Sequence, residues 1–523
     1  MAWGAKDSEL ELRVRSTSPV SPKQEDVAIE ELGHKATIPR TLTSRLGIVG
    51  TISTVVCPWP SALSIAPLAL LNGGTGGLLI GFIVSAFFMT LVYYLIAEKM
   101  PLTPTAGGQY HMVLKLAPRK YRRFLSYICG FALCFTWESY LTSASWLFGM
   151  NISGIITIWT GGYQTYYTFV PAVCMLIFAC AVNLSWGRHM NVFESLVLVV
   201  QFAAFFLVVV VLGMASGTRT LSASFTFDSF TGYPRWIGVL LGFSYCTGVL
   251  GGFDCATHLA EDTEDPRNEI PKALLLSTTV NSFSCIVVAI LVVFCTGDLA
   301  LSDGPLATSG HPLGSILQLF VDATSGNKST ACSVFALSAI IFAVATINTT
   351  TTSSRMLFSL VRDGRDPVVT KLFAKDLNGQ GLPRRCVVIA CILPLIILWI
   401  NFVSLVGFQA IISQVTLALV ITYFMVFACS LDARINRPDL LGSAPSGFFK
   451  PNRSVGIVMD IAAMVFLFVM GLVCCIPFAP NPNAAGWNYA PFMILAVVLI
   501  GLVVWFASAR KHYRPGQGVP GHV

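Results

Sequence analysis

The sequence predicts an all-α polytopic membrane protein with about twelve transmembrane helices. Of its 523 residues, 54% are apolar and only 11% are charged, where a soluble domain carries about 25% charged residues. Leu46 to Ala97 contains no Asp, Glu, Lys, Arg or His, and neither does Ser139 to Gly187. Each run is roughly two bilayer crossings long at about 20 residues per helix. The third observation is charge asymmetry. If the N-terminus lies in the cytosol, twelve spans place 30 of the 33 Lys and Arg on the inner side. Only Arg219, Arg235 and Lys328 fall outside. A span count wrong by one scrambles this pattern, so the positive-inside rule supports the count.

Residues 1 to about 45 are rich in Ser, Pro, Glu and Lys and have no apolar period, the composition of a disordered cytosolic tail. They hold no apolar h-region, so no cleavable signal peptide is expected. Twelve apolar spans follow near 46–71, 76–98, 124–149, 166–186, 191–213, 234–258, 273–296, 330–354, 385–405, 408–431, 456–478 and 488–509. Together they form one helical domain, 46–509. A cytosolic tail, 510–523, closes the chain.

The composition excludes several classes. The net charge of +7 is spread along one membrane face and forms no nucleic-acid patch. Most of the 15 cysteines, Cys129, Cys174 and Cys474 among them, lie inside apolar spans, where cysteine acts as a small hydrophobe. They show neither a disulfide framework nor metal-type spacing, so no metal or cofactor is expected. The loops carry no nucleophile motif, which argues against an enzyme. Asn327-Lys-Ser, in the outer loop 297–329, is a candidate glycosylation acceptor. Nothing in the sequence specifies an oligomeric state.

Two spans carry signals of broken helices. In the sixth, Gly248, Gly251 and Gly252 precede Phe253 and Asp254. Glycine loosens a helix, and hydrocarbon tolerates loosened backbone only where protein or a cavity satisfies it. In the first, Cys57-Pro58-Trp59-Pro60-Ser61 places two prolines one residue apart. Each proline removes a backbone donor, so the helix should open and free several carbonyls. Matching breaks in the first helix of two five-helix halves are what a five-plus-five inverted repeat predicts. Half-helix ends would then meet near the midplane, N-termini favouring a carboxylate and C-terminal carbonyls an ammonium group.

Polar side chains inside the spans have two readings each. Asp254 either caps the second half of span 6 or binds a cation or proton. His258 and Glu261 follow at i+4 and i+7 on the same helical face. They make either a relay or the solvated inner end of that helix, the second being the expectation for Glu261. Glu138, inside the third span, is either a coupling carboxylate or a neutral acid bonded between helices. Asn348, among Thr346 and Thr349 to Thr352, offers interhelical hydrogen bonds or a cation site. Phe253 and Trp59 flank the breaks, where aromatics can cover a solute or make cation–π contact.

Three runs carry a family resemblance. GGFDCATHLAEDTEDPRNEIPKALLLS, from Gly251 to Ser277, resembles the span 6 signature of the fungal amino acid, choline and GABA permeases of the amino acid–polyamine–organocation superfamily. Ala97-Glu98-Lys99-Met100-Pro101, with Thr105 to Tyr110, resembles the family's segment after span 2. Ser354-Arg355-Met356-Leu357-Phe358, with Arg362-Asp363-Gly364, resembles its segment after span 8.

The resemblance implies the LeuT-like fold of the superfamily. Repeat one would cover about 46–213, repeat two about 234–431, and two extra helices 456–509. It implies a site at Cys57 to Ser61 and at Thr247 to Asp254, with spans 3 and 8 alongside. It also implies uptake of an amino acid, choline, GABA or related amine, most often driven by protons. Glu138, Asp254, His258 and Asn348 are the coupling candidates. The Pro58-Trp59-Pro60 run departs from the small, glycine-containing sequence that many members have there. That departure motivates a second expectation, traffic of a specialised metabolite. A non-transporting nutrient receptor is a third. The plasma membrane is the expected location, an organelle membrane such as the vacuole's the alternative, with both termini cytosolic.

Overall fold

Helices with internally satisfied backbones are what long apolar spans form in hydrocarbon. The computed structural model of the chain describes residues 45–186, 190–215, 225–296, 304–378, 383–403, 407–442, 450–482 and 487–515. Residues 1–44 of the expected disordered tail and 516–523 of the C-terminal tail lie outside them. No strand occurs among the described residues.

Among the described residues, ten helices are long and apolar enough to cross a membrane. One, Arg45–Leu102, has 58 residues, about 87 Å at 1.5 Å per residue and nearly three hydrocarbon thicknesses. It reverses at Gly74, whose φ of 65° and ψ of −170° leave the helical region. Its neighbours show the reversal. The Asn72 carbonyl abuts Gly238 and the Ala69 carbonyl abuts Gly242, an antiparallel course. Beyond Gly74, Ser85 bonds Thr247 at 2.9 Å and Tyr93 donates to the Leu250 carbonyl at 3.0 Å, a parallel course. Glycine is required at the turn, because a Cβ there would lie 2.7 Å from the Thr226 carbonyl oxygen.

Counting the two limbs separately and adding the broken segment 235–262 gives twelve crossings, in the order the sequence predicts. Span 1 is 45–73 and span 2 is 75–99. Spans 3, 4 and 5 are Arg122–Thr160, Tyr166–Trp186 and Met190–Ala215. Span 6 is the broken segment, span 7 is Pro266–Thr296 and span 8 is Lys328–Gly364. Span 9 is 384–403 and span 10 is Gly407–Asn436. Span 11 is Arg453–Val473, and span 12 begins with Ala490–Val504.

Burial sorts these spans into a centre and a rim. The apolar stretches of spans 10, 3 and 8 are 78%, 72% and 67% buried, against 33% and 22% for spans 11 and 12. The centre surrounds the two breaks, while the last two helices lie at the edge. Close packing, hydroxyls and interhelical hydrogen bonds hold such a centre, since lipid tails remove the hydrophobic drive between helices.

Span 1 breaks at a single residue. Helix Arg45–Val56 stops where Pro58 and Pro60 lack N–H groups. Cys57 adopts the left-handed conformation, φ 46° and ψ 56°, and a new helix starts with Pro58 at its first position. The opening is narrower than two prolines suggest. The Cys57 and Ser61 amides still donate to the Ser53 and Cys57 carbonyls at 3.0 Å. Cys57 Sγ and Ser61 Oγ cover the Thr54 and Val56 carbonyls at 2.8 and 3.3 Å. The Val55 carbonyl is left without a hydrogen bond among the described residues.

Span 6 breaks more widely. Helix Arg235–Val249 gives way to an unwound run through Asp254, with Gly252 at φ 89°. One turn, Cys255–His258, and a 3-10 turn, Ala260–Asp262, follow. The single helical face expected for Asp254, His258 and Glu261 therefore does not persist. The chain leaves the α-helix after His258 and swings Glu261 and Asp262 onto span 8.

Candidate functional site

The two breaks and spans 3, 8 and 10 line a cavity of about 50 Å³. One water needs roughly 10–15 Å³ of such space, so a few waters or one small solute fit. Its wall includes Val55 and Val56, which end the first half of span 1, and Gly248 and Val249, which end the first half of span 6. Two helix C-termini thus converge there, each carrying roughly half a negative charge on unsatisfied carbonyls. The Val249 carbonyl, like that of Val55, accepts no hydrogen bond among the described residues. Ser61, Ser143, Thr416 and Tyr140 supply hydroxyls, and Phe342, Ile65 and Ile412 supply apolar surface. Among the described residues, no Asp, Glu, Lys, Arg or His lines the cavity. The arrangement can hold one ammonium group against helix ends without burying a fixed counter-charge.

The predicted site residues divide around this cavity. Ser61 and Gly248 line it, and Gly248 abuts Thr416 so closely that no side chain fits between them. Cys57, Pro58 and Pro60 shape the break without lining the wall. Trp59 faces span 5, its ring 6.4 Å from that of Phe205. Thr247 faces span 2 through its bond to Ser85. Phe253 packs edge-on against Tyr93 at 5.2 Å and is fully buried. Gly251 and Gly252 lie under Tyr140, where a Cβ would come within 2.5 and 3.0 Å of its hydroxyl oxygen.

Asp254 lies beyond Tyr140, away from the cavity wall. It occupies the cap position of the short turn, yet its side chain makes no capping bond, contrary to the structural reading. Instead Gln109 Nε2 donates to its Oδ2 and the Tyr423 hydroxyl donates to its Oδ1. The Tyr93 oxygen lies 3.3 Å from that of Tyr423. His258 Nδ1 donates to the Ala106 carbonyl at 2.9 Å, which leaves Nε2 facing Asp254 Oδ2 at 3.8 Å. Asp254 and His258 are both buried, so any proton they exchange must travel through side chains or transient water.

Glu138 and Asn348 lie elsewhere. Ser353 Oγ donates to Glu138 Oε1 at 2.8 Å, and Oε2 has no partner among the described residues. Asn348 Nδ2 donates to Thr54 Oγ1 at 2.7 Å and ties span 8 to span 1 three residues before its break. Asn327 is exposed and caps span 8 through Oδ1, which accepts from the Thr330 amide at 3.2 Å. That bond does not use the amide nitrogen a glycan would need.

The face bearing the basic loops is closed by buried ion pairs. Arg362 donates to both Glu261 oxygens at 2.7 and 3.0 Å, and the Ala106 amide adds a third bond at 3.1 Å. Arg355 donates to Asp262 at 3.0 Å. His111 and Tyr110 meet Asp363 at 2.7 and 2.8 Å. Glu261 is 5% exposed, so it is not the solvated helix end the sequence suggests. A partner a hundred residues away holds it, and that partner was not visible in local sequence. Gln109, Tyr423 and Tyr140 are the functional candidates that sequence reading missed. Gln109 at least lies in the Thr105 to Tyr110 motif. The two tyrosines lie in no motif that the sequence offers.

Known proteins share this sequence pattern. The sequence model of the amino acid permease family matches residues 44–503. A Schizosaccharomyces pombe amino-acid permease is 24% identical, covering 97% of this chain and 90% of its own length. A choline transporter of Saccharomyces cerevisiae is 27% identical over 85% of this chain and 77% of its own. A polyamine transporter of the same yeast is 23% identical over 94% and 79%. With that match across residues 44–503 and a cavity at paired helix breaks, the chain belongs to the amino acid permease family and is a membrane transporter, not an enzyme.

Proposed function

We propose that the chain carries a small nitrogenous solute, an amino acid, choline, GABA or related amine, across the plasma membrane by proton-coupled alternating access. The observation that carries this reading is the cavity at the ends of two half-helices, Val55–Val56 and Gly248–Val249. Helix carbonyls there suit one ammonium group. Breaks five spans apart support two repeats, about 46–213 and 234–431, with 456–509 as peripheral additions. One repeat's bundle would rock against the other around the fixed site. Asp254 with His258 is the favoured coupling pair, because both lie between the cavity and the ion-paired face. Glu138 is the alternative.

Radiolabelled uptake by cells expressing the chain tests this reading. The panel is amino acids, GABA, choline and amines, with and without a proton uncoupler. Uptake of at least one, abolished by the uncoupler, is the expected result. Binding without uptake would favour a receptor, and uptake indifferent to the uncoupler would remove the proton from the mechanism.

A further inference from the structure

The polar groups of the cavity are not equivalent. Thr416 Oγ1 is already engaged, donating to the Ile412 carbonyl at 2.8 Å, and Ser61 Oγ donates to the Val56 carbonyl. Ser143 is only half-buried, which leaves the Tyr140 hydroxyl as the shielded one. It is buried and has no hydrogen-bond partner among the described residues. Its ring is held against Trp137, centroids 5.3 Å apart, and its oxygen is seated over the glycine run of span 6. A larger residue at Gly251 or Gly252 would displace it. A buried hydroxyl without a partner costs free energy, and a solute that bonds to it removes that cost. A site built this way discriminates strongly against an analogue lacking the bonding group.

We propose that Tyr140 is a specificity-determining residue, donating its hydroxyl proton to a carboxylate oxygen of a short, neutral amino acid. This inference rests on the permease reading and narrows it. The hydroxyl offers the proton that a carboxylate needs, and the unpartnered Val55 and Val249 carbonyls offer acceptors for the ammonium group. A zwitterion is neutral overall, as is the side-chain lining of the cavity. A quaternary cation would meet no acidic residue, and a diamine would need a negative partner at each end. Val56, Ile65 and Ile412 leave aliphatic surface, and the small volume limits the side chain to a few carbons.

Tyr140→Phe tests this with L-alanine, choline and putrescine as radiolabelled probes in cells or proteoliposomes. The expected result is L-alanine uptake by the unaltered chain. In the variant, KM for L-alanine rises about tenfold or more with Vmax within twofold. Thermal unfolding of the variant without solute should be unchanged or slightly higher, since no bond within the protein is lost. L-alanine should raise the unfolding temperature of the unaltered chain more than that of the variant. An unchanged KM, or a variant that unfolds several degrees lower without solute, would show that Tyr140 is structural. Uptake of choline or putrescine but not L-alanine would overturn this inference and leave the permease reading intact. Uptake of none of the three would overturn it as well, and the wider panel above then decides the fate of the permease reading.

Discussion

Arg362 of span 8 and Glu261 beyond the span 6 break form a doubly bonded ion pair, 2.7 and 3.0 Å, with both side chains buried. Such pairs contribute little net stability when intact, but losing one partner leaves a buried charge and costs about 3–5 kcal/mol. Here the pair fastens the unwound half of span 6 to span 8 on the side opposite the cavity. Arg362→Gln should therefore loosen that closure. Mass-spectrometric mapping of maleimide labelling should show Cys255, fully buried beside Asp254, reacting severalfold faster in the variant. Equal rates would mean that the pair does not hold the face shut.

Gly248 and Thr416 both line the cavity, and a Cβ at Gly248 would collide with Thr416 Oγ1. Gly248→Ala inserts a methyl group where none fits, and overpacking of this kind costs about 1–3 kcal/mol. Uptake should fall about tenfold or more while the amount of protein in the membrane stays constant. Adding Thr416→Ala removes the obstructing hydroxyl and should restore much of the activity. Two losses that simply add would show that the effect is not steric.

Asp254→Asn keeps the shape of the side chain but removes its charge and one acceptor site. If Asp254 carries the coupling proton, accumulation against a gradient should drop at least about tenfold, while exchange of internal for external solute continues. Glu138→Gln should then leave accumulation within about twofold. The opposite ranking would transfer the coupling role to Glu138.

His311, in the segment between spans 7 and 8, offers a clean pH prediction. Its Nδ1 accepts from the Leu313 amide at 2.9 Å and its Nε2 lies 2.8 Å from Ser153 Oγ. Burial pushes its pKa down to about 3. The unfolded chain, with an ordinary histidine near 6.5, binds a proton below that pH while the folded chain does not. Stability from this site is therefore full above about pH 6.5 and is lost as the pH falls toward 3. Detergent-solubilised protein should lose less unfolding temperature between pH 7 and pH 4.5 as His311→Gln than with histidine. Identical slopes would exclude His311 as the source.

The fold was legible in sequence because hydrocarbon imposes it. Charge-free runs, loop asymmetry, Pro58 with Pro60, and Gly251 with Gly252 located the spans and both breaks. What the breaks become was not legible. Two prolines produced a single left-handed Cys57 rather than an open stretch, because Cys57 Sγ and Ser61 Oγ take up the freed carbonyls. The cavity was legible only in part. Ser61 and Gly248 lie on its wall, while Trp59, Thr247 and Phe253 pack against other helices. Rotation about an apolar helix leaves no trace in residue order, so Tyr140 and Tyr423 could not be singled out. Long-range charge pairing explains Glu261 in the same way, since Arg362 lies on another span.

Reconstitution into liposomes under an imposed pH gradient tests the central claim most directly. With the exterior more acidic than the lumen, radiolabelled L-alanine should accumulate above its external concentration. Accumulation should vanish when an uncoupler collapses the gradient, and it should fall at least about tenfold in Asp254→Asn. Equilibration that never exceeds the external concentration, or accumulation that ignores the gradient, would contradict a proton-coupled permease built on these two helix breaks.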